Sequence, residues 1–276
     1  MAPKSLVKGI IPAAGHGTRM LPVTRAVPKE LLPVGSKPAI HWAVEEAAAA
    51  GIRDIAVVVS PDKPLVAEYL ESSGLAAELE ITFSFVIQRT QRGLADAIWC
   101  CRDFTGGEPF GLLLPDNVVL SGPAGFRSMV EHFLADGRDV IGALRLDSAH
   151  SRQYGHSGLI EYDELGAGVL EIRALADKKP GRLEIGPAET VVRACGRYVC
   201  TPDVLDGIAR LRAEARGELD EVPVYQEIIR RRGALGLLLP PPLFDVGYPR
   251  GFAAANAYWL EQVTSWPESS RTGPPQ

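Results

Sequence analysis

This 276-residue chain predicts an α/β fold: a Rossmann-like, doubly wound, mainly parallel mixed sheet. Three observations lead there. Short apolar runs alternate with alanine-rich or amphipathic stretches in a β-α-β-α-β-α-β rhythm through the N-terminal half. One run, "DIAVVVS", carries β-branched residues on both faces, as a strand covered on both sides must. The polar residues with chemical potential (13 to 19, Gln88 and Asp116) fall where the apolar runs stop, and in such sheets ligands bind beyond the C-terminal ends of strands.

The elements follow in order. "KGIIPAAG" reads as a first strand ending in a glycine turn, and "HWAVEEAAAAG" as an alanine-rich helix stopped by Gly51. "DIAVVVS" is the second strand, "PLVAEYLESS" a helix, "ITFSFVIQ" the third strand, "GLADAIWCCRDF" a helix, and "PFGLLLPDNVVL" a fourth strand stopping at Pro-Asp-Asn. Beyond about residue 138 the rhythm loosens. "DVIGALRL" is a strand, "SGLIEYDELGAGVLEIRALADKKP" an antiparallel pair around a polar turn, and "VVRACGRYVCT" another strand. "PDVLDGIARLRAEAR" and "VPVYQEIIRRRG" are helices, and "ALGLLLPPPLFDVGYP" reads as a last strand pair. No linker divides the chain, so residues 1–265 are expected to form a single domain, with 266–276 a disordered Pro/Ser-containing tail.

Composition narrows the function. Hydrophobic residues make up 46% and charged residues 23%, an ordinary globular balance. A net charge of −5 disfavours a nucleic-acid partner and confines any polyanion site to a local patch. The cysteines (Cys100, Cys101, Cys195, Cys200) form no CxxC pair and read as reduced thiols. No signal peptide and no run of about 20 apolar residues is visible, so no membrane partner and a cytoplasmic location are expected.

That local patch is "AAGHGTRMLPVTRAVPKELLPVGSKP". Gly15 and Gly17 lack Cβ atoms, so an anion can approach the backbone N–H groups between strand and helix. Arg19 adds a fork suited to phosphate oxygens. The stretch is not a Walker A loop, which needs Gly-Lys-Ser/Thr, nor a Rossmann fingerprint, whose third glycine is here Met20.

The same stretch closely resembles the signature of the sugar-1-phosphate nucleotidyltransferases, nearest the bacterial glucose-1-phosphate uridylyltransferases, with the thymidylyltransferases next. The resemblance implies the nucleotide-diphospho-sugar transferase type of fold. It also implies transfer of a nucleotidyl group from UTP or dTTP to a sugar 1-phosphate such as glucose 1-phosphate, with release of pyrophosphate. By resemblance, Ala13, Ala14, Gly15, Gly17, Thr18 and Arg19 hold the nucleoside triphosphate, and Lys29 contacts the reacting phosphates. Pro22, Pro28 and Pro33 restrict the loop that carries Lys29. In "VIQRTQRGLADAI", Gln88 and Gly93 keep the family's spacing for reading a pyrimidine base, and an amide has the donor and acceptor to do so; Gln91 competes. Asp116 and Asp245 resemble the two aspartates that ligate Mg²⁺, a hard cation suited to carboxylates.

On the acceptor side, Tyr154, Gly155, Gly196 and Glu221 resemble sugar-pocket residues, and Lys179 the lysine that meets the sugar phosphate. Here the chain departs from the family. Its Glu-Lys-Pro becomes Lys178-Lys179-Pro180, and "GELDEVPVYQ" alters the segment around Glu221. Asp177 does not replace the lost carboxylate, because a one-residue shift on a strand turns a side chain to the other face. The alternatives are the same chemistry with a cyclitol, aminosugar or other phosphorylated small molecule, or with CTP or GTP, and a nucleotide-sensing protein without activity. A homodimer or homotetramer is the assembly the resemblance implies.

Overall fold

The computed structural model describes residues 5–155, 158–177, 183–214 and 217–263. The strands are β1 (Lys8–Pro12), β2 (Pro33–Val34), β3 (Lys37–Pro38), β4 (Asp54–Val59), β5 (Thr82–Ile87), β6 (Phe110–Leu113), β7 (Asn117–Val119), β8 (Val140–Asp147), β9 (Ile160–Gly166), β10 (Val169–Leu175), β11 (Thr190–Cys200), β12 (Leu235–Leu238) and β13 (Leu243–Asp245). The helices are α1 (Ala39–Ala49), α2 (Pro64–Ser72), α3 (Leu75–Glu78), α4 (Leu94–Cys100), α5 (Arg102–Thr105), α6 (Ala124–Asp136), α7 (Asp203–Glu214), α8 (Val222–Arg232) and α9 (Pro249–Gln262).

Among the described residues one nine-stranded sheet runs β5-β4-β1-β6-β11-β8-β12-β10-β9. The pairings β4–β5, β1–β4 and β1–β6 are parallel, as is β12–β8; β11 and β10 run against the rest. Alternation along the parallel strands sends Ile11, Ile55 and Val57 to one face and Ile10, Ala56 and Val58 to the other. The first face packs Ile40 and Val44 of α1, Val66 and Leu70 of α2, and Phe126, Met129 and Phe133 of α6. The second packs Ile98 of α4, Val204 and Ile208 of α7, and Val224 and Ile228 of α8. Burial on both faces is why the strands read as continuous apolar runs.

The structure departs from the sequence reading in several places. "ALGLLLPPPLFDVGYP" does not make a strand pair: β12 joins the large sheet beside β8 and β10, whereas β13 pairs with β7. Pro240, Pro241 and Pro242 separate the two, and proline cannot donate to a ladder. Three helices are absent from the sequence reading: the four-residue α3, α6 and α9. Helix α6 follows a Ser-Gly-Pro turn and carries a buried Phe126/Met129/Val130/Phe133 stripe, and α9 opens on Pro249 at its first turn. The proposed tail, 266–276, lies outside the described residues.

Candidate functional site

Two cavities open above the C-terminal ends of β1 and β6. The larger, about 790 Å³, is lined by Ala14, Gly15, His16, Gly17 and Thr18 after β1, by Lys29, by Gln88, Gln91, Arg92 and Gly93 after β5, and by Leu114, Pro115 and Asp116 after β6. The smaller, about 330 Å³, is lined by Arg19, Asp116, Asn117, Leu175, Arg193, Gly196, Tyr198, Glu221, Asp245 and Tyr248, among others. Asp116 lines both.

The glycine turn is built to stay open. Gly17 sits at φ +67°, and a Cβ there would come within 3.0 Å of Thr24 Cγ2. Thr24 Oγ1 donates to the Gly17 carbonyl at 2.8 Å, and the Lys63 ammonium donates to the Gly15 carbonyl. Those two carbonyls are thereby occupied from outside the turn and compete less with its N–H groups for the cavity.

Lys29 follows Pro28 in a single 3₁₀ turn and donates to the Asp116 carboxylate. Glu30 is fully buried beneath it, with Lys29 and Lys63 each 3.7 Å from its carboxylate and no hydrogen bond to either oxygen. Burial raises the Glu30 pKa against the pull of both lysines, and burial lowers that of Lys63. Burial would also lower the Lys29 pKa, but the charges of Asp116 and Glu30 outweigh it and hold the ammonium above its ordinary range. Asp116 shows the converse: burial opposes its charge, yet Lys29 and Arg19 keep the carboxyl below its usual value.

Asp116 and Asp245 meet although they lie in distant segments. The small β13–β7 ladder sets Asp245 opposite Asn117, and Val246 N–H donates to the Asp116 carbonyl at 2.8 Å. A Cβ built on Gly247 would lie 3.0 Å from Asp116 Oδ2, 3.1 Å from Asp245 Oδ1 and 3.4 Å from Arg19 Nη2, so two carboxylate oxygens and a guanidinium nitrogen converge on one spot. Burial and the Asp116 charge raise the Asp245 pKa to about 6. Two buried carboxylates facing one gap, one destabilised by the other, suit a divalent cation. No cluster of three or more His, Cys, Asp or Glu occurs among the described residues, and a cation that also binds substrate phosphates needs no third protein ligand.

Beneath this junction Arg197 is completely buried. Its guanidinium donates to the Leu114 carbonyl at 2.9 Å and the Asn117 carbonyl at 2.6 Å, on either side of Asp116, and to Glu46 Oε2 of α1 at 2.7 and 2.9 Å. A fork with five donors is suited to this task.

Most of the residues singled out from the sequence come together here, with some corrections. Ala13 is fully buried and gives its N–H to Val58, so Ala14 is the first residue of that run to face the larger cavity. Arg19 faces the smaller cavity instead of the larger, with its guanidinium 4.3 Å from the centre of the Tyr248 ring and 3.9 Å from Asp116. Tyr154 and Gly155 line neither cavity. The Tyr154 hydroxyl donates to the Leu243 carbonyl, its ring stacks 5.0 Å from the Arg193 guanidinium, and Gly155 packs against the Tyr248 ring. They support the smaller cavity from behind. Gly196 and Glu221 do line it. Gln88 faces the larger cavity, as does Gln91, whose amide donates to Ser60 Oγ at 2.7 Å. Lys178, Lys179 and Pro180 lie outside the described residues. The four cysteines are free thiols. Among the described residues, no helix is long and apolar enough to cross a membrane.

Lys63, Asn117, Arg193, Arg197 and Tyr248 went unread. Lys63 and Asn117 were reachable, because each follows the end of an apolar run, where the sequence already pointed to a ligand site. Arg193, Arg197 and Tyr248 gave no such signal, since two lie inside a strand and the third in a loop closed by tertiary contacts.

With a glycine turn after β1, a lysine on a carboxylate and a two-carboxylate junction between two cavities, the class of protein is defined: the chain belongs to the nucleotidyl transferase family, whose profile matches residues 8–262. Among relatives, it is 33% identical over 268 residues to UTP–glucose-1-phosphate uridylyltransferase 2 of Staphylococcus saprophyticus, covering 90% of each chain. It is 30% identical over 277 residues to UTP–glucose-1-phosphate uridylyltransferase of Bacillus subtilis, covering 94% of this chain and 92% of that one. A solved structure of apo UDP-glucose pyrophosphorylase superimposes with a TM-score of 0.77 at 26% identity, covering 93% of this chain and 99% of that chain.

Proposed function

We propose that this enzyme transfers a uridylyl group from UTP to a sugar 1-phosphate, with glucose 1-phosphate the first acceptor to test, and releases pyrophosphate. The observation that carries this reading is the position of Asp116, paired with Lys29 and shared between a large cavity for the nucleotide and a small one for the acceptor. An oxygen of the sugar phosphate attacks the α-phosphorus in line with the leaving pyrophosphate. The nucleophile is already ionised, so the protein's task is positioning and charge neutralisation.

In this reading the N–H groups of Gly15, Gly17 and Thr18 receive the triphosphate, and Lys29 neutralises charge on the phosphoryl group in transfer. Gln88 and Gly93 face the base. Arg19, braced on Tyr248, stands on the acceptor side of the junction, and Gly196 and Glu221 line the space for the sugar. Lys179 is the candidate partner of the acceptor phosphate. Asp116 and Asp245 would hold Mg²⁺, which when bound draws the two phosphates together and offsets their repulsion. Lys178, in place of the family's carboxylate, favours a second reading of the acceptor half alone: a different phosphorylated small molecule with the same nucleotide chemistry.

The test is pyrophosphate release by the purified protein with Mg²⁺, UTP and a panel of sugar 1-phosphates. Release with glucose 1-phosphate is expected. Release only with another acceptor moves the assignment to the second reading, and no release with any acceptor or nucleotide refutes both.

A further inference from the structure

Gln88 is 3% exposed at the end of β5, and its amide is not free to turn. Its Nε2 donates to Asp96 Oδ2 at 2.9 Å and towards the Gly93 carbonyl at 3.3 Å. Both partners can only accept, so the NH₂ group must face them and the carbonyl oxygen is the atom left to offer the cavity. Asp96, on α4, is itself 6% exposed and is held by the Arg212 guanidinium of α7 through its other oxygen. Arg212 in turn lies 5.4 Å over the Trp99 ring. A chain of fixed groups therefore runs from α7 through α4 to the cavity wall.

Resting on the reading that the larger cavity takes the nucleotide, we propose that Asp96 is a positioning residue that fixes Gln88 as a hydrogen-bond acceptor and so restricts the site to pyrimidines bearing an N3–H. Uracil and thymine present that N–H. Cytosine presents a lone pair at N3, which would face the Gln88 carbonyl oxygen with no proton between them. Discrimination by an unpaired buried polar group exceeds what shape alone gives between bases of nearly equal size. An amide at position 96 has a donor of its own, so only the longer 3.3 Å contact to the Gly93 carbonyl would still hold the Gln88 NH₂, and the amide could turn over to offer it to the cytosine lone pair.

The experiment is calorimetric binding of UTP, CTP and N3-methyl-UTP to the wild type and to Asp96→Asn. Binding needs no acceptor, so a failed turnover assay would count against the proposed function and not against this inference. In the wild type, CTP and N3-methyl-UTP are each expected to bind at least about tenfold more weakly than UTP. In Asp96→Asn the UTP-to-CTP affinity ratio falls by about tenfold or more. Equal loss of affinity for both nucleotides, leaving the ratio unchanged, is what a merely structural Asp96 would give and overturns the proposal. Should the variant not fold, N3-methyl-UTP binding to the wild type as tightly as UTP overturns it equally.

Discussion

Lys29 and Asp116, 87 positions apart in sequence, form a partly buried ion pair at the junction of the two cavities. Burial disfavours the charge on each, and each outweighs that effect for the other.

That pairing predicts non-additive kinetics. Lys29→Ala and Asp116→Asn should each lower kcat by about 10²-fold or more while changing the KM for UTP much less. The double variant should lose little beyond the worse single variant, because the two residues act as one unit. Steady-state pyrophosphate release in the four proteins checks it; independent, multiplying losses would contradict the shared role.

Gly247 offers a separate handle on the cation. A methyl group there would press on Asp116 Oδ2 and Asp245 Oδ1 at 3.0 and 3.1 Å. Gly247→Ala should raise the Mg²⁺ concentration for half-maximal activity by about tenfold, since small displacements at a reacting centre are costly. Excess chelator should abolish turnover in the wild type. A magnesium titration of both proteins reads the two effects.

Arg197 predicts a loss of stability. Arg197→Met leaves Glu46 buried without its partner and releases the carbonyls that bracket Asp116. Unfolding in urea should show a loss of about 3–5 kcal/mol, with part of it recovered when Glu46→Met is added.

Asp139 predicts a pH dependence unrelated to catalysis. It is buried, and its carboxylate accepts from Thr201 N–H and Oγ1, each at 2.9 Å. Burial, only partly offset by those bonds, raises its pKa to about 6. Between the unfolded value of about 4 and the folded value, the native state holds the extra proton, so this group's contribution to stability falls as pH rises through that window. Relative to Asp139→Asn, the wild type should gain about 1–3 kcal/mol between pH 7 and pH 4, measured as the difference in unfolding free energy.

Much of this was legible in the sequence, for local reasons. The strands of the parallel half announce themselves because they are apolar on both faces, and Gly15, Gly17, Gln88 and Asp116 stand out because each ends such a run. Lys29 was found through a long motif. What escaped depends on contacts between remote segments. Nothing local says that Leu243–Asp245 would pair with Asn117–Val119 while its neighbour Leu235–Leu238 joined the main sheet. Nor does a sequence reveal that Arg19 would turn onto Tyr248, or that Tyr154 would spend its hydroxyl on the Leu243 carbonyl. The orientation of the Gln88 amide is of the same kind, set by an aspartate one helix turn past Gly93 and an arginine on another helix.

The bend from Leu114 to Asn117 is a party wall between the two chambers; residues 14–19, 91–94 and 217–222 serve both, while Leu175, Arg193 to Tyr198, Asp245 and Tyr248 furnish the rear one alone. Changes in the rear room at Leu175, Arg193 or Tyr198 touch none of the front room's lining, whereas changes around Glu221 reach it through Gly217 and Glu218.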